Sequence, residues 1–142
     1  MSYAGDISCL ECWKVLQEEP DSQLIDVRTT AEWNFVGFPH LTTVNKQVML
    51  VEWQVYSSMQ VNPDFVAVAD QNLEQAGASK ESLVFMLCRS GVRSISAAQA
   101  LTVAGYKNVY NVLDGFEGNP DENGHRGNLT GWKFDRLPWQ QR

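Results

Sequence analysis

Two rhythms of apolar residues alternate along this chain, one at helical spacing and one in short unbroken runs. Ser8 and Glu11 stand at capping-box spacing, with Ile7 placed to staple Cys12 across the cap. Cys12, Trp13 and Leu16 continue as an apolar stripe and Pro20 lies just beyond it, which predicts a first helix. Leu24-Ile25-Asp26-Val27-Arg28 is apolar enough for a buried strand. Thr29 and Glu32 repeat the capping-box spacing and open a short helix that Gly37 stops. Residues 42–48 are weakly strand-like, and 51–61 fits neither period. Asn62-Pro63 predicts a helix with proline in its first position, and Phe65, Ala69, Leu73 and Ala76 keep helical spacing up to Gly77. Leu83-Val84-Phe85-Met86-Leu87 has the continuous apolar pattern of a central parallel strand. A helix over 94–104 carries Ile95, Ala98 and Leu101 on one face and closes at Gly105; a buried strand follows over 108–113. Residues 118–131 are polar and turn-rich, a surface loop, and 132–139 form a short amphipathic turn.

Strands alternating with helices argue for an α/β fold with a mostly parallel sheet and crossover helices. The 142 residues carry no repeat or linker and read as one domain over 1–142, with 118–131 as a loop insertion. Hydrophobic residues are 44% and charged ones 20%, which excludes disorder and rod-like folds. Eleven Lys and Arg against seventeen Asp and Glu give a net charge of −6, a composition that disfavours nucleic acid and anionic membranes as partners. No apolar stretch approaches the roughly 20 residues of a membrane span. The first residues lack the basic and apolar regions of a signal peptide, so a cytoplasmic location is expected. Three cysteines, an odd number, fit free thiols in a reducing compartment.

The chemistry concentrates in Cys88-Arg89-Ser90-Gly91-Val92-Arg93-Ser94, between the most apolar strand and a helix. Ligands of open α/β sheets bind just beyond the carboxyl ends of the strands. A cysteine there faces the free N–H groups and positive dipole end of the next helix, and Arg89 and Arg93 add positive charge; both effects favour a thiolate. Gly91 lets successive N–H groups turn inward as an anion nest, and Ser90 and Ser94 can donate hydroxyl hydrogen bonds to the sulfur or a bound oxyanion.

This loop resembles the active-site loop of rhodanese-family sulfurtransferases. Asp26-Val27-Arg28 with Glu32 and Gly37 is similar to the family's first signature, and Asn108-Val109-Tyr110-Asn111-Val112-Leu113-Asp114-Gly115-Phe116 to its last strand and exit. Trp132-Lys133 and Leu137-Pro138 resemble its closing segment, so the likeness runs from about Ile7 to Pro138, nearest to the bacterial stand-alone type. The resemblance implies a five-stranded, mostly parallel sheet flanked by helices on both faces, with Ile7 in an edge strand. It also implies Cys88 as a nucleophile that carries sulfur as a persulfide, with residues 89–94 binding the substrate. The donor would be a small sulfur-containing anion such as thiosulfate, and the acceptor cyanide, a thiol or a protein. The chain departs from the family at Gly37-Phe38-Pro39-His40-Leu41, where Phe38 falls in place of a histidine, and in the 118–131 insertion.

Two other functions compete: a phosphatase-like hydrolase with a Cys-loop-Arg site, and a non-catalytic rhodanese-like binding module. Phosphatase loops place five residues between Cys and Arg; here Arg89, Ser90, Gly91 and Val92 are the only ones between Cys88 and Arg93. A vestigial module usually loses the cysteine, which this chain keeps. Asp26 and Arg28 would shape the pocket or form a buried pair that fixes the loop. Cys9-Leu10-Glu11-Cys12 lies within a capped helix without a second such pair, so packing is expected and no metal or cofactor is implied. His40 and His125 fall in loop-like sequence and are expected in solvent, and the five tryptophans in the core and helix packing.

Overall fold

The chain opens with strand β1 (Gly5–Ile7) and turns at once into helix α1 (Cys9–Glu18), where the Ser8 hydroxyl accepts from the Glu11 N–H, the serine half of the expected box. Strand β2 (Gln23–Asp26) leads into helix α2 (Thr30–Phe35), whose capping box between Thr29 and Glu32 is complete. A two-residue strand β3 (Phe38–Pro39), a 3₁₀ turn (Thr42–Val44) and strand β4 (Met49–Leu50) follow. Strands β5 (Gln54–Val55) and β6 (Gln60–Val61) precede helix α3 (Phe65–Gln75). The second half holds strand β7 (Leu83–Leu87), helix α4 (Arg93–Val103), strand β8 (Asn108–Val112) and a closing strand β9 (Trp139–Gln140). The computed structural model describes residues 2–141.

Five of these strands form a parallel sheet in the order β1-β8-β7-β2-β4. Successive residues of β7 point to opposite faces, as strand geometry requires. Val84 and Met86 enter a core with Phe65, Ala69 and Leu73 of α3 and Ala97, Ala98 and Leu101 of α4. Phe85 and Leu87 enter a second core with Cys12 and Leu16 of α1, Phe116, Trp132 and Leu137. The five strands of this sheet run one way, so the exits of β2, β7 and β8 lie at one end of it.

Several local expectations need correction. The helix expected to start at Pro63 starts at Phe65, because Asn62 serves the loop instead: its Oδ1 accepts from the Asp64 N–H and its Nδ2 donates to the Glu52 carbonyl. The weak strand over 42–48 is replaced by the 3₁₀ turn, and the edge strand forms at 49–50 once the apolar side chain of Met49 reaches the core. The unassigned stretch 51–61 contains an antiparallel hairpin, Gln54 opposite Val61 and Val55 opposite Gln60. Residues 132–136 form the expected turn, and β9 after it pairs antiparallel with β3, which places Trp139 partly in solvent rather than in the core. Residues 118–131 close around Asp121, whose carboxylate accepts from the N–H groups of Asn123 and His125 and from the Asn128 amide. No helix among the described residues is long and apolar enough to cross a membrane.

Candidate active site

Cys88 leaves the end of β7 into the space between its sheet neighbours, and its side chain continues the alternation toward α4. The Gly91 N–H donates to Cys88 Sγ at 3.1 Å, and the turn that aims it there needs a φ of +94°, a glycine conformation. Helix α4 begins with no side chain capping it, so its first N–H groups remain open toward the loop. Ser94 Oγ lies 3.1 Å from Cys88 Sγ and its hydroxyl donates to Asn111 Oδ1. Among the described residues no cluster of His, Cys, Asp or Glu is arranged to hold a metal.

The loop is held from behind by the chain leaving β8. The Cys88 carbonyl accepts from the Phe116 N–H at 2.8 Å, and the Arg89 carbonyl from Glu117 and Gly118 at 2.9 and 3.1 Å. Gly115 sits in this brace at φ +63°, where a Cβ would fall 2.4 Å from the Cys88 carbonyl oxygen. The 118–131 segment is anchored to the same brace, since Gly127 N–H donates to the Glu117 carbonyl and Arg126 to that of Gly118. It supplies no side chain to the cavity around Cys88.

The three arginines of the sequence expectation have separate fates. Arg93 reaches the cavity, yet both terminal nitrogens donate to Glu32, at 2.8 and 2.9 Å, so its charge is not free for an anion. Burial pushes the Glu32 carboxyl up, but the Arg93 hydrogen bond and charge, the Thr29 N–H and Arg28 outweigh it and hold it below the ordinary range. Arg28 is fully buried behind the loop: Nε and Nη2 donate to Asp26 at 2.9 and 2.6 Å, Nη2 also to the Gly37 carbonyl, and the guanidinium lies 4.2 Å from the Phe116 ring centre. Neither Asp26 nor Arg28 lines the cavity; their ion pair lies behind the loop at the end of β2. Arg89 is exposed at the mouth, and among the described residues its guanidinium has no ion-pair partner.

The cavity above Cys88 holds about 740 Å³. Ser90 lines it half-buried, and Val92, 71% exposed, stands on its rim. Sequence reasoning missed the rest of that rim: Phe35 at the end of α2, 82% exposed, and Tyr56 and Met59 from the β5–β6 hairpin, Tyr56 65% exposed. The signal was the apolar residues of the stretch that fitted neither period. Cys9 and Cys12 pack in the second core. Cys9 donates to the Gly115 and Leu113 carbonyls, and burial, then Asp135 and Asp114, push its thiol up to about 12. Neither His40, bonded to Thr42, nor His125 lines the cavity.

The site can be set beside known proteins. Residues 4–142 match the family model described as the STR4 middle domain. The crystal structure of Rv0390 from M. tuberculosis superposes with a TM-score of 0.86 at 46% identity, covering 99% of this chain and all of that one. At 22% identity the fold is shared with a rhodanese-like domain protein from Staphylococcus aureus (TM-score 0.52, 78% of this chain and 86% of that one). It is also shared, at 22% identity, with a polysulfide-sulfur transferase homodimer from Wolinella succinogenes (TM-score 0.56, 99% and 80%). The chain thus belongs to the STR4 middle-domain family and has the rhodanese-like fold of its structural neighbours.

Proposed function

We propose that the protein is a sulfurtransferase that carries sulfane sulfur on Cys88. The observation that bears most weight is the Gly91 N–H aimed at Cys88 Sγ on the floor of an open cavity, in front of an uncapped helix start. That arrangement stabilises negative charge on sulfur. The donor would be a small anion of the thiosulfate type, met at the mouth by Arg89. The Cys88 thiolate attacks its outer sulfur, the S–S bond breaks, and sulfite leaves with the electron pair. The persulfide's terminal sulfur then lies among the loop N–H groups until an acceptor thiolate or cyanide attacks it and restores Cys88. Ser90, Gly91, Val92 and Ser94 would shape this cradle, while Arg93 would keep its geometry through Glu32. The narrow spacing of four residues between Cys88 and Arg93 speaks against a phosphoryl group, whose three equatorial oxygens need a wider ring of donors.

The test is intact mass after incubation with thiosulfate. One added sulfur atom, mapped to Cys88 and removed by cyanide as thiocyanate, is the expected result, and Cys88→Ser should show neither step. Hydrolysis of p-nitrophenyl phosphate that depends on Cys88, with no sulfur loading, would instead assign phosphatase chemistry.

A further inference from the structure

Asn111 is a polar residue in the interior of β8, fully buried, and the sulfur chemistry above does not use it. Its Nδ2 donates to Asp6 Oδ1 on the neighbouring β1 at 3.1 Å and to the Gly91 carbonyl at 3.3 Å. Turning the amide over would set its oxygen against a carboxylate and a carbonyl, so its orientation is fixed. The oxygen therefore faces Ser94 and can only accept, which puts the single hydroxyl proton of Ser94 on Asn111, at 2.5 Å. Ser94, itself fully buried, is left presenting lone pairs to Cys88 Sγ at 3.1 Å. Lone pairs facing sulfur suit a thiol that donates its S–H, and oppose a sulfur that carries charge.

We infer that Asn111 is a positioning residue for Cys88: by taking the Ser94 hydroxyl proton it makes Ser94 an acceptor toward sulfur, so that the hydroxyl opposes the negative charge that the Gly91 N–H and the start of α4 favour. The inference rests on the reading of Cys88 as the nucleophile. Ionisation then requires the thiol proton to leave for solvent and the Ser94 hydroxyl to turn from Asn111 to the sulfur. Asp6 is exposed and also accepts from the Tyr3 hydroxyl at 2.8 Å, so the chain of contacts runs from the surface of β1 to the floor of the cavity. The charged groups on the cavity side are Arg89 of the same loop, Arg93 of α4 and its partner Glu32 of α2, with Asp26 of β2 and Arg28 just beyond that strand behind. Among the described residues none of these bonds Ser94 or Asn111.

The experiment is the pH profile of iodoacetamide alkylation at Cys88, followed by peptide mass mapping so that Cys9 and Cys12 do not contribute. In Asn111→Ala the Ser94 hydroxyl is released to donate to the thiolate. The profile should move toward acid by about one unit, which is about ten-fold faster alkylation on its acid limb. Because Asn111 acts through Ser94, the shift should vanish when Asn111→Ala is made in a Ser94→Ala background. Asp6→Ala, a surface change, should give a smaller shift in the same direction and serves if Asn111→Ala does not fold. An unshifted profile, a shift toward alkali, or a shift that persists without Ser94 would overturn the inference. The two readings fail separately. A shifted profile without persulfide formation overturns only sulfur transfer, and persulfide formation with an unshifted profile overturns only the role of Asn111.

Discussion

The Glu32 carboxylate accepts from both terminal nitrogens of Arg93, joining the starts of α2 and α4 across 61 residues of chain. The parallel sheet makes this contact: β2 and β7 are neighbours, and both helices begin at the same end of it. The pair is a partly exposed, bidentate one, so Arg93→Ala is expected to cost about 1–2 kcal/mol in urea unfolding. A double-mutant cycle with Glu32→Gln should show a coupling of about 1 kcal/mol. Additive single effects would mean that the two side chains act independently.

The same pair sets a pH dependence. Glu32 is held below its ordinary range in the folded chain, so the fold binds a proton there less readily than the unfolded chain does. Its contribution is fully present above the unfolded carboxylate value of about 4.3 and is lost as pH falls through the lower folded value. Glu32→Gln should therefore flatten the acid limb of stability, measured as urea midpoints between about pH 5 and pH 3. Parallel curves for wild type and variant would contradict the shift.

Arg89 is exposed at the cavity mouth and, among the described residues, has no ion-pair partner, which separates it from Arg93. Arg89→Ala should raise the KM for thiosulfate about ten-fold, the loss of one charge-assisted contact, with stability changed by less than about 0.5 kcal/mol. The wild-type KM should also rise with salt, and the variant's much less. Identical kinetics in the two proteins would remove Arg89 from donor binding.

Cys9 and Cys12 are packed thiols, with Cys9 pushed up to about 12 and Cys12 raised well above the ordinary value by complete burial. Alkylation of the folded protein near neutral pH should therefore be confined to Cys88. Cys12→Ser should destabilise the fold by about 1–3 kcal/mol, because it replaces a packed thiol by a buried hydroxyl, and still load sulfur per folded molecule. Loss of loading in a folded Cys12→Ser protein would assign that cysteine a chemical role.

Gly115 and Gly124 both have positive φ, +63° and +78°, but only Gly115 is crowded. Gly124→Ala should cost about 1 kcal/mol of backbone strain. Gly115→Ala adds a clash with the Cys88 carbonyl, so it should be the more destabilising by at least about 1 kcal/mol and should slow alkylation of Cys88. Equal effects would show that the brace yields freely.

What the sequence determined by itself is local. Apolar periodicity and caps located α1, α2, α4, β2, β7 and β8 to within a few residues, because helix and strand spacing are written in consecutive positions. The Cys88 loop was also legible, since its cysteine, glycine, serines and arginines lie within seven residues. The tertiary structure decided which charges stay free. Arg89 and Arg93 look alike in sequence, but Glu32 reaches Arg93 alone, and that follows from strand order rather than from spacing. It also decided the cavity rim, because the β5–β6 hairpin is held by two residue pairs and leaves no periodic signal. Asn111 interrupts an apolar strand without a nearby partner in sequence. Its role arises from Asp6 and Gly91, 105 and 20 residues away, because a buried amide must find its hydrogen bonds wherever the fold brings them.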